Sequence, residues 1–69
     1  MRPDPALTPR QREILQLLAD GQRVPHIALR LHVAETTVRN HIRAILRALG
    51  VNSQLEAVAR ARTLTPYDA

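Results

Sequence analysis

Apolar residues recur at helical spacing along this chain, in four segments that are separated by residues typical of helix starts and ends. The longest segment runs from Ala34 to Leu49, and its apolar side chains share one stripe of a helix: Val38, Ile42, Ile45 and Leu49. The opposite arc of this helix is polar and consists of Thr36, Arg39, Asn40, Arg43 and Arg47. The pattern predicts a long helix with one core face and one cationic face.

The first predicted helix runs from about Pro9 to Asp20. Thr8 can cap its start, and Gln11, three residues later, can complete a capping box. Gly21 follows as a stop signal. The buried side of this helix is expected to consist of Ile14, Leu15, Leu17 and Leu18.

The second predicted helix is only about two turns long and ends near His32. Val24-Pro25 marks its start, with Pro25 at the first helical position, and its apolar side consists of Ile27, Ala28 and Leu31. Three residues, His32, Val33 and Ala34, separate it from the long helix. Two helices joined by so tight a turn, with the second basic on one face, are typical of a helix-turn-helix.

The fourth predicted helix runs from about Gln54 to Thr63, after a C-cap at Gly50 and a capping box from Ser53 to Glu56. One apolar stripe, suited to the core, consists of Ala57, Ala61 and Leu64. A second stripe consists of Leu55, Val58, Ala59 and the stem of Arg62. One small subunit can hardly bury both stripes, so the second predicts a weak homodimer through this helix.

The composition favours a single, small, all-α domain. The chain has 69 residues, no cysteine and one aromatic residue, Tyr67, so the core must be aliphatic. We expect a flexible arm or linker remnant at residues 1–6, the four-helix domain at 7–64 and a tail at 65–69. No apolar run is long enough to span a membrane and no signal-peptide pattern is present, which predicts a cytoplasmic protein without a membrane partner.

The net charge of +4 is concentrated in the middle of the chain. Between Gly21 and Gly50 lie one glutamate, Glu35, and five arginines: Arg23, Arg30, Arg39, Arg43 and Arg47. Positive and negative side chains balance in the remainder. Clustered cations attract phosphates irrespective of sequence, so this segment is expected to bind a polyanion such as double-stranded DNA.

Metal binding and catalysis are disfavoured by the residue types available. The three histidines, His26, His32 and His41, are 6 and 9 residues apart, without any cysteine to assist them. No nucleophile stands beside a base, and no glycine-rich phosphate loop is present. We therefore expect no metal, no cofactor and no enzymatic activity.

Several motifs together resemble the LuxR/GerE-type DNA-binding domain over Leu7 to Arg62. The matching positions are Leu7-Thr8-x-Arg10, Gly21, Ile27-Ala28-x-x-Leu31, Val33, Thr37-Val38-Arg39-x-His41, Ile45, Leu49-Gly50-Val51 and Glu56-Ala57. The resemblance implies a four-helix fold whose third helix enters the major groove and whose fourth helix dimerises. It further implies base contacts for Arg39, Asn40 and Arg43, and phosphate contacts for Thr36 and Thr37.

The sequence also departs from the pattern of that family. The family usually has glutamate at Gln11, serine at Ala34, asparagine and glutamate near Val24 and His26, lysine at Ala48 and arginine at Gln54. Without a serine at Ala34, the third helix loses an N-cap worth about 1 kcal/mol. Without cations at Ala48 and Gln54, possible phosphate contacts are lost.

Two alternatives follow from these observations. Region 4 of a sigma factor shares the Leu-Thr-x-Arg opening and the helix-turn-helix, although the Val38-Arg39-Asn40-His41 run and the dimer-like last helix argue against it. A helical interaction module that pairs through Leu55, Val58 and Ala59 without productive DNA contact fits the departures at Ala48 and Gln54.

We favour a sequence-specific DNA-binding domain of a transcriptional regulator, such as a response regulator. Arg39, Asn40 and Arg43 are its expected base-reading residues. The expected phosphate contacts are Thr36, Thr37, Arg47, Arg23 and Arg30, and RNA polymerase is a further expected partner. The residues expected to be buried together in the core are Ile14, Leu18, Ile27, Leu31, Val38, Ile42, Ile45 and Leu49.

Overall fold

The computed structural model describes residues 7–64, with the side chains of residues 7–62. Four helices follow one another along the described chain, which contains no strand: α1 (Pro9–Ala19), α2 (Val24–Leu31), α3 (Glu35–Leu49) and α4 (Gln54–Leu64). The prediction of an all-α, four-helix fold is confirmed. The arm predicted at residues 1–6, the tail predicted at 65–69 and the Leu64 side chain lie outside what is described.

The starts of α1 and α4 are capped by side chains. In α1, Thr8 Oγ1 accepts from the Gln11 backbone N–H at 3.1 Å, and Gln11 Oε1 accepts from the Thr8 N–H at 2.9 Å, so the predicted capping box is confirmed. In α4, Ser53 Oγ accepts from the Glu56 N–H at 3.1 Å. The Glu56 carboxylate instead reaches the Asn52 N–H at 2.7 Å, so the second half of this box lies one residue upstream of its predicted place.

The first three helices end in the same way, with one residue in the left-handed region. These residues are Gly21 (φ +91°), His32 (φ +59°) and Gly50 (φ +70°). The residue after each donates its backbone N–H to the carbonyl five positions back: Gln22 to Leu17, Val33 to Ala28 and Val51 to Leu46. His32 has a β-carbon, which makes this conformation about 1–2 kcal/mol less favourable than it is for glycine.

The helix-turn-helix consists of α2, the turn from His32 to Ala34, and α3, which confirms the predicted turn. α3 is the central helix, because it packs against α1, α2 and α4. α1 also packs against α4. None of the helices among residues 7–64 is long and apolar enough to cross a membrane.

The core consists of apolar side chains from all four helices and from Leu7, which precedes α1. Its buried members are Leu7, Ile14, Leu15, Leu18, Ile27, Ala28, Val38, Ile42, Ile45, Leu49, Ala57 and Ala61. Seven of the eight predicted core residues are among them. Leu31 is the exception, because as the last residue of α2 it packs against the edge of the core and stays partly exposed. Leu17 is likewise only partly buried.

Replacing Ala34 with serine is expected to raise the free energy of unfolding by about 1 kcal/mol. Ala34 is the N-cap of α3, has an extended backbone (φ −72°, ψ 154°) and makes no side-chain capping bond. A serine hydroxyl there can accept from the Thr37 backbone N–H, three residues on. Chemical denaturation of both proteins measures the gain. Ala48→Ser is the control, because it makes the same change on an exposed turn inside α3. Equal denaturation midpoints for Ala34→Ser and the parent protein would contradict the assignment of Ala34 as the N-cap of α3.

Candidate nucleic-acid interface

The polar arc of α3 faces outward, as predicted. Its side chains at Thr36, Arg39, Asn40, Arg43 and Arg47 are exposed, while the stripe of Val38, Ile42, Ile45 and Leu49 is buried. Because α1, α2 and α4 all pack on α3, the buried stripe fixes the direction in which the polar arc points. Arg39, Arg43 and Arg47 lie on successive turns and span about 12 Å along the helix axis.

Two hydrogen bonds join neighbouring side chains on this arc. An Arg39 terminal nitrogen donates to Glu35 Oε1 at 3.3 Å, and an Arg43 terminal nitrogen donates to Asn40 Oδ1, also at 3.3 Å. The first is an ion pair between two half-exposed side chains, and the second joins a cation to a neutral amide. Two of the three predicted base-reading residues, Asn40 and Arg43, thus lie in direct contact.

The acidic residue Glu35 at the edge of this face modifies the prediction of a purely cationic face on α3, because it pairs with Arg39. Glu35 precedes Arg39 by four residues, and a glutamate four positions before a cation is the favoured order for a helical ion pair. The spacing was therefore visible in the sequence. The structure shows Arg39 with its charge partly compensated.

The predicted phosphate-binding arginines lie on two helices. Arg47 is in the last turn of α3 and Arg30 in the last turn of α2, while Arg23 is the N-cap of α2. All three are exposed, and within the described side chains none of them forms an ion pair. Their guanidinium groups are thus available to an external anion.

The predicted phosphate-binding threonines occupy the first turn of α3. Thr36 is exposed, and Thr37 is half-buried at the edge of the helix. The N-terminus of a helix presents backbone N–H groups and a positive dipole end, both of which favour a phosphate oxygen nearby. Their position is therefore chemically suited to the role predicted for them, which stays a prediction.

The four side chains of the predicted dimer stripe differ in exposure. Leu55 is 79% exposed, and Ala59 is exposed too, whereas Val58 is partly buried against the core. Arg62 donates to the Ala19 carbonyl oxygen at 3.2 Å, so its guanidinium is held by the end of α1 in the same subunit. Val58 is thus shared between the stripe and the core, while Leu55, Ala59 and Arg62 remain exposed.

An open groove of about 430 Å³ lies where the turn after α1 meets the start of α4. It is lined by Leu18, Gly21, Gln22, Arg23, Val24, Gln54, Leu55 and Val58. Leu55 and Val58 therefore share a groove of mixed apolar and polar lining with Leu18 of α1 and Val24 of α2. This groove was not predicted, since it depends on the packing of two segments, residues 18–24 and 54–58, that are distant in sequence.

The histidines are dispersed. His26 and His32 are exposed and His41 is half-buried beside the α3 stripe. Among the residues that the structure describes, no group of three or more His, Cys, Asp or Glu side chains is placed to hold a metal ion.

Comparison with known proteins identifies the family. Residues 5–61 match the family described as "Bacterial regulatory proteins, luxR family", and the chain belongs to it. This membership favours the LuxR/GerE-type interpretation over the sigma-factor and interaction-module alternatives. No solved structure matches the chain.

Curated relatives agree with this assignment. The chain is 44% identical over 57 residues to the probable transcriptional regulatory protein NarL of Mycobacterium tuberculosis, which covers 83% of this chain and 26% of that protein. It is 43% identical over 54 residues to the spore germination protein GerE of Bacillus subtilis, and this match covers 78% of this chain and 73% of that protein. It is 43% identical over 51 residues to the nitrate/nitrite response regulator protein NarL of Escherichia coli, and this match covers 74% of this chain and 24% of that protein. The chain thus spans about a quarter of either NarL protein and corresponds to the DNA-binding domain of this family of bacterial regulatory proteins.

Proposed function

We propose that this domain binds double-stranded DNA sequence-specifically by placing α3 in the major groove. The observation that carries the proposal is the outward arc of α3, which combines Arg39, Asn40 and Arg43 on a rigidly packed helix. Arginine can donate two bonds to guanine O6 and N7, and asparagine can pair with the adenine edge. Arg47, Arg23, Arg30, Thr36 and Thr37 are proposed to hold the sugar-phosphate backbone.

In-vitro selection from a pool of random duplexes tests this proposal. We expect one enriched half-site a few base pairs long, and pairs of half-sites in inverted orientation about one helical turn apart. The control is a selection with a variant in which Arg39, Asn40 and Arg43 are all alanine, which should retain weak binding but enrich nothing. If the parent protein binds the pool without enriching any sequence, the binding is electrostatic only.

We propose that two copies pair weakly through α4 when they bind adjacent half-sites. The support is Leu55, a leucine that is 79% exposed and continues into the groove with Val58. Such a surface is far smaller than the roughly 800 Å² per partner of a standard interface, so the free protein should be a monomer or weak dimer. On DNA, each copy raises the effective concentration of the other, and binding becomes cooperative.

Replacing Leu55 with glutamate is expected to abolish this cooperativity while leaving binding to one half-site nearly intact. Two glutamates would meet across the two-fold axis, and the mutated side chain is too exposed to disturb the core. Val58→Glu is less suitable, because Val58 also packs against the core. Gel shifts on duplexes with one and two half-sites measure the effect.

A charge swap provides the control for this experiment. Leu55→Lys should abolish cooperativity as well, since it also places like charges on the axis. An equimolar mixture of the Leu55→Glu and Leu55→Lys proteins should recover part of it, because opposite charges then face each other. Full cooperativity in each single variant would contradict the α4 dimer.

The wider biological role is proposed from the names of the relatives. A response-regulator role follows the name of the Escherichia coli NarL protein, and RNA polymerase is proposed as a partner because the relatives are named as transcriptional regulators. We propose a binding function without catalysis, and a cytoplasmic location, where bacterial DNA is found.

A further inference from the structure

Glu35 is the only acidic residue on α3, and it lies at the first position of the helix. Its carboxylate accepts from Arg39 at 3.3 Å, across one helical turn. The two side chains are 47% and 54% exposed, and an ion pair this accessible to water contributes little to folding stability. The physical consequence of the pair therefore lies in what it does to Arg39.

The pair restricts the motion of a long side chain before DNA arrives. Arginine has five N–H donors, and the bond to Glu35 leaves the other terminal nitrogen and the rest of its fork free for a base edge. A side chain that is already held loses less conformational freedom on binding. Because Glu35 already restricts the Arg39 side chain, less conformational entropy remains to be lost when Arg39 binds a base.

The charge of Glu35 acts in a second way. A carboxylate at the edge of the DNA-facing arc repels phosphates, so it penalises docking positions in which it faces the backbone. An element that weakens wrong complexes increases specificity even when it adds nothing to affinity for the right one. Arg43 offers the contrast, because its partner Asn40 is neutral and introduces no such repulsion.

We propose that Glu35 is a positioning residue that increases sequence specificity, by holding Arg39 toward a base and by repelling misplaced phosphates. This rests on the proposed base-reading role of Arg39. The quantity that reports it is the specificity ratio, defined as the Kd for random duplex divided by the Kd for the preferred duplex.

The test compares Glu35→Gln with Glu13→Gln at one fixed salt concentration. Glutamine keeps the shape of the side chain and removes its charge. Glu13 forms a comparable exposed ion pair with Arg10 on α1, at 3.5 Å, so its variant carries the same change of net charge. We expect the specificity ratio of Glu35→Gln to fall about two- to tenfold, because the neutral amide holds Arg39 more weakly than the carboxylate does and does not repel phosphates. That of Glu13→Gln should stay within about twofold, because any general charge effect acts on both duplexes.

Arg39→Ala, alone and combined with Glu35→Gln, tests whether Glu35 acts through Arg39. Preference at the base that Arg39 reads should be lost in the single Arg39→Ala variant and should not change further in the double variant. If Arg39→Ala lowers the specificity ratio but Glu35→Gln does not, the inference about Glu35 is wrong and the role of Arg39 stands. If neither changes it, the base-reading assignment of Arg39 falls, and this inference with it.

Discussion

Replacement of Ile45 by alanine is expected to lower the free energy of unfolding by about 2–5 kcal/mol. Ile45 is fully buried on the core stripe of α3, the helix that packs against all three others. Removing three carbon atoms there leaves a cavity that neighbours from several helices would have to fill together. A domain of this size rarely has more than about 3–5 kcal/mol of stability, so much of the protein should be unfolded.

Urea denaturation followed by far-UV circular dichroism measures this loss. Leu29→Ala is the matched control, because Leu29 is an aliphatic residue on α2 that is 74% exposed. Its replacement should change stability by less than about 0.5 kcal/mol. If the two variants have the same midpoint, then Ile45 is not in a packed core and the central position of α3 is wrong.

The helices and most of the core were predictable from the sequence, because apolar spacing identifies the buried face of a helix. Periodicity does not show how far the neighbouring helices extend over the ends of that face. Leu31 has the right spacing, but it is the last residue of α2 and stays partly exposed. Leu7 is buried although it precedes α1, where no helical period exists to indicate burial.

Local conformation was predictable only where the residue type suits it. Gly21 and Gly50 are common at the left-handed end of a helix, and both were expected to end one. His32 adopts the same conformation, which histidine does more often than most non-glycine residues but still too rarely for its residue type to predict it. α2 packs against α3, and only three residues separate the two helices. The short turn therefore imposes the left-handed backbone conformation on His32.

The candidate interface likewise has some features that spacing in the sequence predicts and others that only tertiary packing determines. The exposed arc of α3 and the Glu35–Arg39 pair both depend on spacing within one helix, so the sequence contains them. The bond from Arg62 to Ala19 joins residues 43 positions apart and depends on the packing of α4 against α1. Spacing on α4 predicted only that the stem of Arg62 lies on the dimer stripe, and it could not indicate that the guanidinium of Arg62 contacts α1 of the same subunit.

The largest expected effect on DNA binding comes from removing Arg43, which we propose reads a base. Arg43→Ala is expected to weaken binding to the preferred duplex by about 1–3 kcal/mol and to relax preference at one base position. Arg43 lies in the middle of the exposed arc, and its only hydrogen-bonding neighbour among the described side chains is the neutral Asn40. Its removal therefore leaves no unpaired charge behind. Arg39→Ala should act similarly, although it also frees the Glu35 carboxylate.

Arg47→Ala is the matched control, because it removes the same group from the same face one turn further along the helix. Arg47 lies in the last turn of α3, where a side chain is expected to reach the phosphate backbone. Its loss should weaken binding to preferred and random duplexes by the same factor and should lower the slope of log K against log salt by about 1. Titrations of the preferred duplex, single-base variants of it and random duplex at several salt concentrations separate the two behaviours. Equal losses on all duplexes for Arg43→Ala would place Arg43 on the backbone, and the bases would then have to be read by residues nearer the start of α3.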